Sequence, residues 1–355
     1  MTRRLEWATR LLQTALPSSL QTVALDVCVN ADVAAFEKWR QQIGTTAESR
    51  YILGHRSERL RRLLSLLYLR FQEGGVEVDK SLMTYLRTAR ARERLRTESV
   101  RQICEAVLAS LLRTGISPIV VRGMAVAETV YPDPATRHCH DLDLLLPLEQ
   151  MSAASGILAE SGYRGATRAG ASASSRWHSH SSGSQVGLHS SPYRVHAWNT
   201  DTRAMIERSV PASIAGCTVR ILSAEDELVH ICGNGLIAGS RHSPCWAADA
   251  WFLIRYSGAD FDWNAFVAGA LASDRLPAML IAIEYLVNEL RTPIPAKVLH
   301  ELRSTPPQQA GIEAMVAASL LSAYGSKLGL IRRSGRPADV GRTMLWAMRT
   351  RLVPT

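Results

Sequence analysis

Val120-Val-Arg-Gly-Met-Ala-Val-Ala-Glu-Thr-Val-Tyr-Pro-Asp-Pro-Ala-Thr-Arg-His-Cys-His-Asp-Leu-Asp-Leu-Leu-Leu-Pro147 is the stretch on which the fold turns. Its first residues close a β-branched run, Ile116-Ser-Pro-Ile-Val-Val121, which reads as a buried strand entering a tight turn at Gly123. Met124 to Tyr131 reads as a helix and Pro132 to His140 as a loop. Asp141-Leu-Asp-Leu-Leu-Leu146, stopped by Pro147, reads as a second strand. Side chains alternate along a strand, so Asp141 and Asp143 point one way while Leu142 and Leu144 point into the core. Two carboxylates on one face repel unless a cation lies between them, and a hard divalent ion shared with phosphate oxygens is the natural partner. Upstream, Arg122 and Gly123 end one strand and open a helix. Backbone amides and the helix dipole there can hold a triphosphate, and a glycine lets the backbone come close to it.

Outward from this stretch, the texture becomes helical in both directions. Residues 1–112 read mainly as helix, most clearly from His55 to Gln72, where leucines crowd together without Gly or Pro. Gly74-Gly75 marks a break, and the next helix carries Arg87, Arg90, Arg92, Arg94 and Arg96, a pattern that reads as a solvated face. Downstream, 148–161 reads as a helix. The Ser-, Ala-, Gly- and His-rich segment 165–185 is expected to be a mobile loop and a candidate lid. Strands are expected at Gln185 to His189, Tyr193 to Trp198 and Cys217 to Leu222. Ser223-Ala-Glu-Asp226 resembles a capping box opening a helix through Cys232, and most of the chain beyond Pro244 reads as helical. The expected fold is α/β (α+β): a small mixed-sheet core over 113–222, an N-terminal helical region over 1–112 and a C-terminal helical region over 223–355.

Composition narrows the function classes. A chain of 355 residues with 46% hydrophobic and 21% charged content buries a real core, and its net charge of +9 attracts polyanions. Six cysteines without a C-x-x-C pair fit reduced thiols in the cytoplasm. No apolar run reaches the roughly 18 residues of a membrane span. Without a G-x-x-x-x-G-K-[ST] loop, a G-x-G-x-x-G fingerprint or a G-x-S-x-G elbow, P-loop ATPase, Rossmann dehydrogenase and α/β-hydrolase readings have no support. His138-Cys-His140 and His178-Ser-His180 each space two imidazoles for a transition metal, but neither has a partner pair, so zinc is set aside. Trp246, Asp249 and Trp251 read first as core and second as the lining of an acceptor pocket.

The 120–147 stretch resembles the signature of the uncharacterised nucleotidyltransferase family within the polymerase-beta-like superfamily. That signature runs Leu-Lys-Gly, then Tyr-Pro-x-Pro, then Arg-x-x-x-Asp-x-Asp-Leu-Leu-Val. Leu222 to His230, Trp246-Ala-Ala-Asp-Ala250 and Asp262-Trp263 are similar to the family's helical C-terminal half. The resemblance implies that Asp141 and Asp143 are catalytic metal ligands for Mg²⁺ or Mn²⁺. It makes Gly123 the phosphate-loop glycine, puts Arg122 in place of the usual lysine, and makes Arg137 a positioning or phosphate-contacting residue. The implied reaction moves a nucleoside monophosphate from an NTP to a hydroxyl or phosphate of a small molecule, sugar or peptide.

A third carboxylate usually lies on a strand reading Asp/Glu-Leu-His-Trp. The match here, Val186-Gly-Leu-His-Ser190, puts Gly187 where an acid is expected. His189, His196 and Asp201 stay open as replacement bases, and restoring an acid by Gly187→Asp is expected to rebuild the site if catalysis has been lost. The alternative is a catalytically degenerate nucleotide-binding or interaction protein that keeps the fold. A nucleic-acid end-modifier, suggested by the charge and the arginine run, is a third and less favoured reading.

Overall fold

The computed structural model of the chain describes residues 15–55, 59–166, 175–192, 202–236, 243–273 and 275–306, together with Thr9, Leu12 and Gln13. From Ser19 the described residues form the helices α1 (Ser19–Val29), α2 (Val33–Gln42), α3 (Ser49–Gly54), α4 (Leu64–Glu73) and α5 (Lys80–Arg113). The sheet region follows with β1 (Ile119–Val121), α6 (Gly123–Thr129), β2 (Asp141–Leu145), α7 (Met151–Glu160), β3 (Arg164–Ala166), β4 (Ser175–Ser179) and β5 (Gln185–His189). It continues with α8 (Thr202–Arg208), β6 (Val210–Ile214) and β7 (Cys217–Ile221). Helices α9 (Ala224–Gly235), α10 (Cys245–Ser257), α11 (Trp263–Ala272), α12 (Leu276–Leu290) and α13 (Ala296–Ser304) come last. The mixed α/β class with helical flanks is the one expected.

Helix α5 is the spine. The Asp79 carboxylate caps it by accepting from the amides of Ser81 and Leu82, and Gly115, at φ 79°, turns the chain after its end. Leu82, Leu86 and Ala89 on its first half join a core shared by helices from both ends of the chain, including Trp39, Phe71, Phe252 and Leu286. Val100, Cys104, Val107 and Leu111 on its second half pack under the sheet. Buried residues three or four apart keep one stripe through both halves, with Glu93 and Thr97 joining the two apolar parts. The arginine run therefore divides by helical phase. Arg87, Arg92 and Arg94 are exposed, whereas Arg90 donates to Asp133 and Ser65, and Arg96 to Glu93.

The sheet has the strand order β3-β4-β5-β2-β1-β7-β6. β2 runs antiparallel to β1 and parallel to β5, so Asp143 has Val121 on one side and Gly187 on the other. Val120, Leu142, Leu144, Val186 and Leu188 face the layer of α5 and α7. Ile119, Val121 and Leu145 face the opposite way with Met205 and Leu222. By alternation, Asp141, Asp143, Gly187 and His189 share that second face.

Two expectations change. The segment from His55 is not one continuous helix: Arg59 takes a left-handed backbone at φ 49°, Leu60–Arg62 forms a 3-10 turn, and α4 begins only at Leu64. Leu63, Leu64, Ser65, Leu66 and Leu67 are all buried, so burial here follows the depth of the segment rather than a single stripe. Within 165–185, Ser175–Ser179 is a sheet strand paired antiparallel with β5, and Trp177 and His178 are buried. That stretch is ordered framework. A serine-rich composition conceals it because Trp177 is the strand's single large apolar side chain and its place in the sheet comes from pairing with β5. Residues 167–174 lie outside the described residues, as do the strand expected at Tyr193 to Trp198, His196 and Asp201.

Candidate functional site

The two carboxylates predicted from alternation stand on one face of β2, and both line a cleft of about 300 Å³ between the sheet and helices α9 and α10. Asp143 is buried, and Asp141, at the strand's first position, is partly open. His189 Nε2 donates to Asp143 Oδ1 at 2.6 Å, and Arg122 Nη1 donates to the same oxygen at 3.0 Å. The imidazole is steadied from behind, with Nδ1 2.9 Å from Ser175 Oγ and the ring edge-on to Trp177. A cation beside the carboxylate pair is thus already supplied by the chain itself, by a guanidinium.

Arg122 reaches this position from an unusual backbone. Its φ of 65° and ψ of −139° lie where L residues are strained by about 1–3 kcal/mol. The strain aims one guanidinium at three walls. Nη1 meets Asp143, Nε donates to His230 Nε2 at 3.5 Å, and Nη2 donates to the Pro192 carbonyl at 3.1 Å. Lysine, with one terminal nitrogen, cannot span these partners, so arginine at this position is a different device and not a conservative exchange.

Gly123 is required by contact. A Cβ there would lie 2.5 Å from Arg137 Nη1 and 3.4 Å from Cys139 Sγ. Arg137 is itself committed to the protein: Nη2 and Nε donate to the two oxygens of Asp249 at 2.8 and 3.2 Å, and Nη1 donates to the His138 carbonyl. Tyr131 donates its hydroxyl to Asp249 Oδ1 at 2.8 Å. Burial opposes the charge on Arg137, but the Asp249 carboxylate outweighs it and holds the guanidinium's pKa well above its ordinary value. Burial, reinforced by the same carboxylate, pushes the Tyr131 phenol well up, so it remains a donor. Burial also raises the Cys139 thiol to about 11, with Arg137 pulling in the other direction.

Gly187 sits where the register predicts, directly across from Asp143. A Cβ at this position would lie 2.7 Å from Asp143 Oδ1, 2.7 Å from His189 Nε2 and 2.9 Å from the Trp177 ring. The space of a third acid is filled by the Asp143–His189 pair and by tryptophan. His189, one of the open candidates for a base, is thereby tied to Asp143.

Sequence reasoning missed several members of the cleft. Arg59 and Arg62 come from the turn before α4, and the density of arginine between His55 and Leu63 was their only signal. Glu227, His230 and Asn234 come from one face of α9. Their helix opens as expected, with Ser223 Oγ accepting from the Asp226 amide. The acids of its first turn then diverge: Asp226 pairs with Arg208, Glu225 accepts from the Asp262 amide, and Glu227 turns into the cleft.

The donor set fits a metal that travels with phosphate. Among the described residues no group of three or more His, Cys, Asp or Glu forms a self-sufficient metal cage. Magnesium nevertheless is commonly held by one or two carboxylates plus substrate phosphates. Asp141 and Asp143 are a carboxylate pair that could play this part, and Arg59, Arg62 and Arg122 line the same cleft with positive charge. No helix among the described residues is long and apolar enough to cross a membrane. The sequence matches the family described as Uncharacterised nucleotidyltransferase over residues 58–290, well over half of the chain. No curated protein matches it.

Proposed function

We propose that this chain, which belongs to the uncharacterised nucleotidyltransferase family, moves a nucleoside monophosphate from an NTP carried with Mg²⁺ or Mn²⁺ to a hydroxyl or phosphate of a small molecule, sugar or peptide. The observation that carries this reading is one cleft lined by the Asp141–Asp143 pair and by Arg59, Arg62 and Arg122. The carboxylates would hold the divalent ion through their strand-end oxygens, and the bound ion supplies neutralisation of phosphate charge. The arginines bind and orient the triphosphate. Gly123 keeps the turn open for it, and the seven-residue α6 is too short for its dipole to do this alone. Arg137 acts as a positioning residue, since its donors are already taken by Asp249 and the loop backbone. Catalysis in such a site is mainly electrostatic preorganisation.

A second reading has its own observation. Gly187 leaves β5 without an acid, and His189 and Arg122 both hold Asp143 Oδ1, as in a protein that binds nucleotide without turning it over. One experiment separates the two: the four NTPs are screened with Mg²⁺ for thermal stabilisation, with pyrophosphate release as the second readout. Both readings expect stabilisation, and only the enzyme releases pyrophosphate. No stabilisation by any NTP, with or without metal, would overturn both.

A further inference from the structure

Helix α9 presents Glu227, His230 and Asn234 to the cleft at spacings of three and four residues, so they share one face. Glu227 is only 4% exposed, and among the described residues neither of its carboxylate oxygens has a hydrogen-bond partner. The nearest polar group recorded for it is His230 Nδ1, at 3.6 Å from Oε1. Further along the same face, Asn234 Nδ2 is a buried donor without a partner among the described residues, while its oxygen accepts from Arg275 at 2.8 Å. Buried polar atoms are nearly always hydrogen-bonded, and an unpaired buried carboxylate is among the most unfavourable exceptions. Here a buried acceptor and a buried donor, both without hydrogen-bond partners among the described residues, belong to side chains that line one wall of one cleft.

We infer that this face of α9 is the acceptor subsite, that it takes a hydroxyl-bearing molecule, and that Glu227 is the catalytic base for that hydroxyl. The inference rests on the proposed nucleotidyl transfer and narrows it. A carboxylate with open lone pairs attracts an O–H donor and repels a phosphate, which removes phosphate from the acceptors considered above. The Asn234 amide offers a donor to a second oxygen of the same molecule. Among the described residues no group of three ligating side chains includes Glu227, and the role inferred for it is proton acceptance. It supplies from α9 the proton-accepting role that β5 leaves open at Gly187.

The step balances as follows. The acceptor O–H bond breaks and its proton passes to a Glu227 oxygen. The freed electron pair forms the bond to the α-phosphorus. The bond from that phosphorus to the bridging oxygen breaks, and its electron pair leaves with pyrophosphate. Glu227 then gives its proton to solvent. His230 lies between Glu227 and Arg122 and acts as a positioning residue, tying the base to the phosphate-facing guanidinium.

The test compares the full chain with Glu227→Gln and Glu227→Asp in three measurements: urea unfolding without ligand, stabilisation by Mg–NTP, and release of pyrophosphate from α-labelled NTP. Water and glycerol are the hydroxyl probes, and inorganic phosphate is the competing acceptor. Glu227→Gln is expected to unfold at higher urea than the native chain, keep Mg–NTP stabilisation, and lose about a hundredfold or more in pyrophosphate release, the usual contribution of a general base. Glu227→Asp is expected to retain part of the rate, and the α label is expected in nucleoside monophosphate formed with water or in the phosphodiester formed with glycerol, but not in nucleoside diphosphate formed with inorganic phosphate. The inference is overturned if Glu227→Gln is less stable than native, which marks a structural role, if its rate is unchanged, or if inorganic phosphate is the preferred acceptor. If the native chain binds no NTP, the transfer reading itself has failed and this inference falls with it. If it binds NTP and releases pyrophosphate while Glu227→Gln does so equally, only the inference has failed.

Discussion

Replacing Gly187 by aspartate tests why β5 carries no acid. The sequence pattern alone expects Gly187→Asp to rebuild a three-acid site and strengthen metal binding. The geometry predicts the opposite, since the new Cβ would stand 2.7 Å from Asp143 Oδ1, 2.7 Å from His189 Nε2 and 2.9 Å from Trp177. None of these is the loose end of a long side chain. Trp177 is 6% exposed and His189 1%, so neither has open space to move into. Overpacking of this kind destabilises by about 1–3 kcal/mol. Displacing His189 also breaks the 2.6 Å bond to Asp143, worth about 1.5–3 kcal/mol for a charged partner, so the sum is about 2.5–6 kcal/mol. A third carboxylate against Asp143 adds repulsion of the same sign. Urea unfolding of the native chain, Gly187→Asp, His189→Ala and the double variant gives the size and the coupling. The double variant is expected to lose less than the sum of the singles, because removing the imidazole vacates the space. A Gly187→Asp protein as stable as native, or one with tighter Mg²⁺ binding and faster pyrophosphate release, would refute the packing argument.

Three further outcomes are expected. Asp143→Asn loses Mg–NTP stabilisation and, since it weakens two hydrogen bonds from Arg122 and His189, also lowers ligand-free stability by about 1–3 kcal/mol; unchanged Mg–NTP binding would remove the metal-clamp assignment. Asp249→Ala strands the buried Arg137 guanidinium and destabilises by about 3–5 kcal/mol in urea unfolding, whereas a neutral result would show that Arg137 does not depend on it. Burial, aided by Arg176, depresses the pKa of His178, so the stability this group contributes is present above its unfolded value near 6.5 and is lost as pH falls through the folded one. His178→Gln is expected to flatten that acid-side slope in unfolding measured from pH 7 to pH 5, and an unchanged slope would assign it to other groups.

The parts of the site legible in the sequence were those set by alternation and by local turn chemistry. Asp141 and Asp143 share a face because β2 is a strand, Gly187 falls opposite Asp143 because Gln185 to His189 is one too, and Gly123 follows from a strand-to-helix turn. Ser223 announced α9 by its cap. What the sequence did not reveal depends on packing between distant segments. Arg90 and Arg96 look like members of a charge run, yet helical phase turns them toward Asp133 and Glu93. Arg137 reads as a phosphate contact until Asp249, more than a hundred residues later, is seen to hold it from two sides. Glu227 is one of three consecutive acids whose fates only the tertiary structure separates. Ser175–Ser179 shows no apolar alternation because it carries one apolar side chain, Trp177, and takes its place in the sheet by pairing with β5.

Local rules are broken in this cleft more than once. Arg122 adopts a backbone that favours glycine, and Glu227 is buried without a hydrogen-bond partner among the described residues. Each is unfavourable by about 1–3 kcal/mol, and such features persist where the surrounding structure or the chemistry requires them. A relic that only binds nucleotide would have a use for the guanidinium of Arg122, but none for a buried acid on α9 without a hydrogen-bond partner among the described residues. Gly187→Asp and Glu227→Gln therefore make opposite predictions in one cleft. Adding a carboxylate on β5 is expected to destabilise the ligand-free chain, and removing one from α9 is expected to stabilise it while abolishing turnover. Agreement of both signs would mean that the acid required for catalysis stands on the helix and that β5 has no room for another.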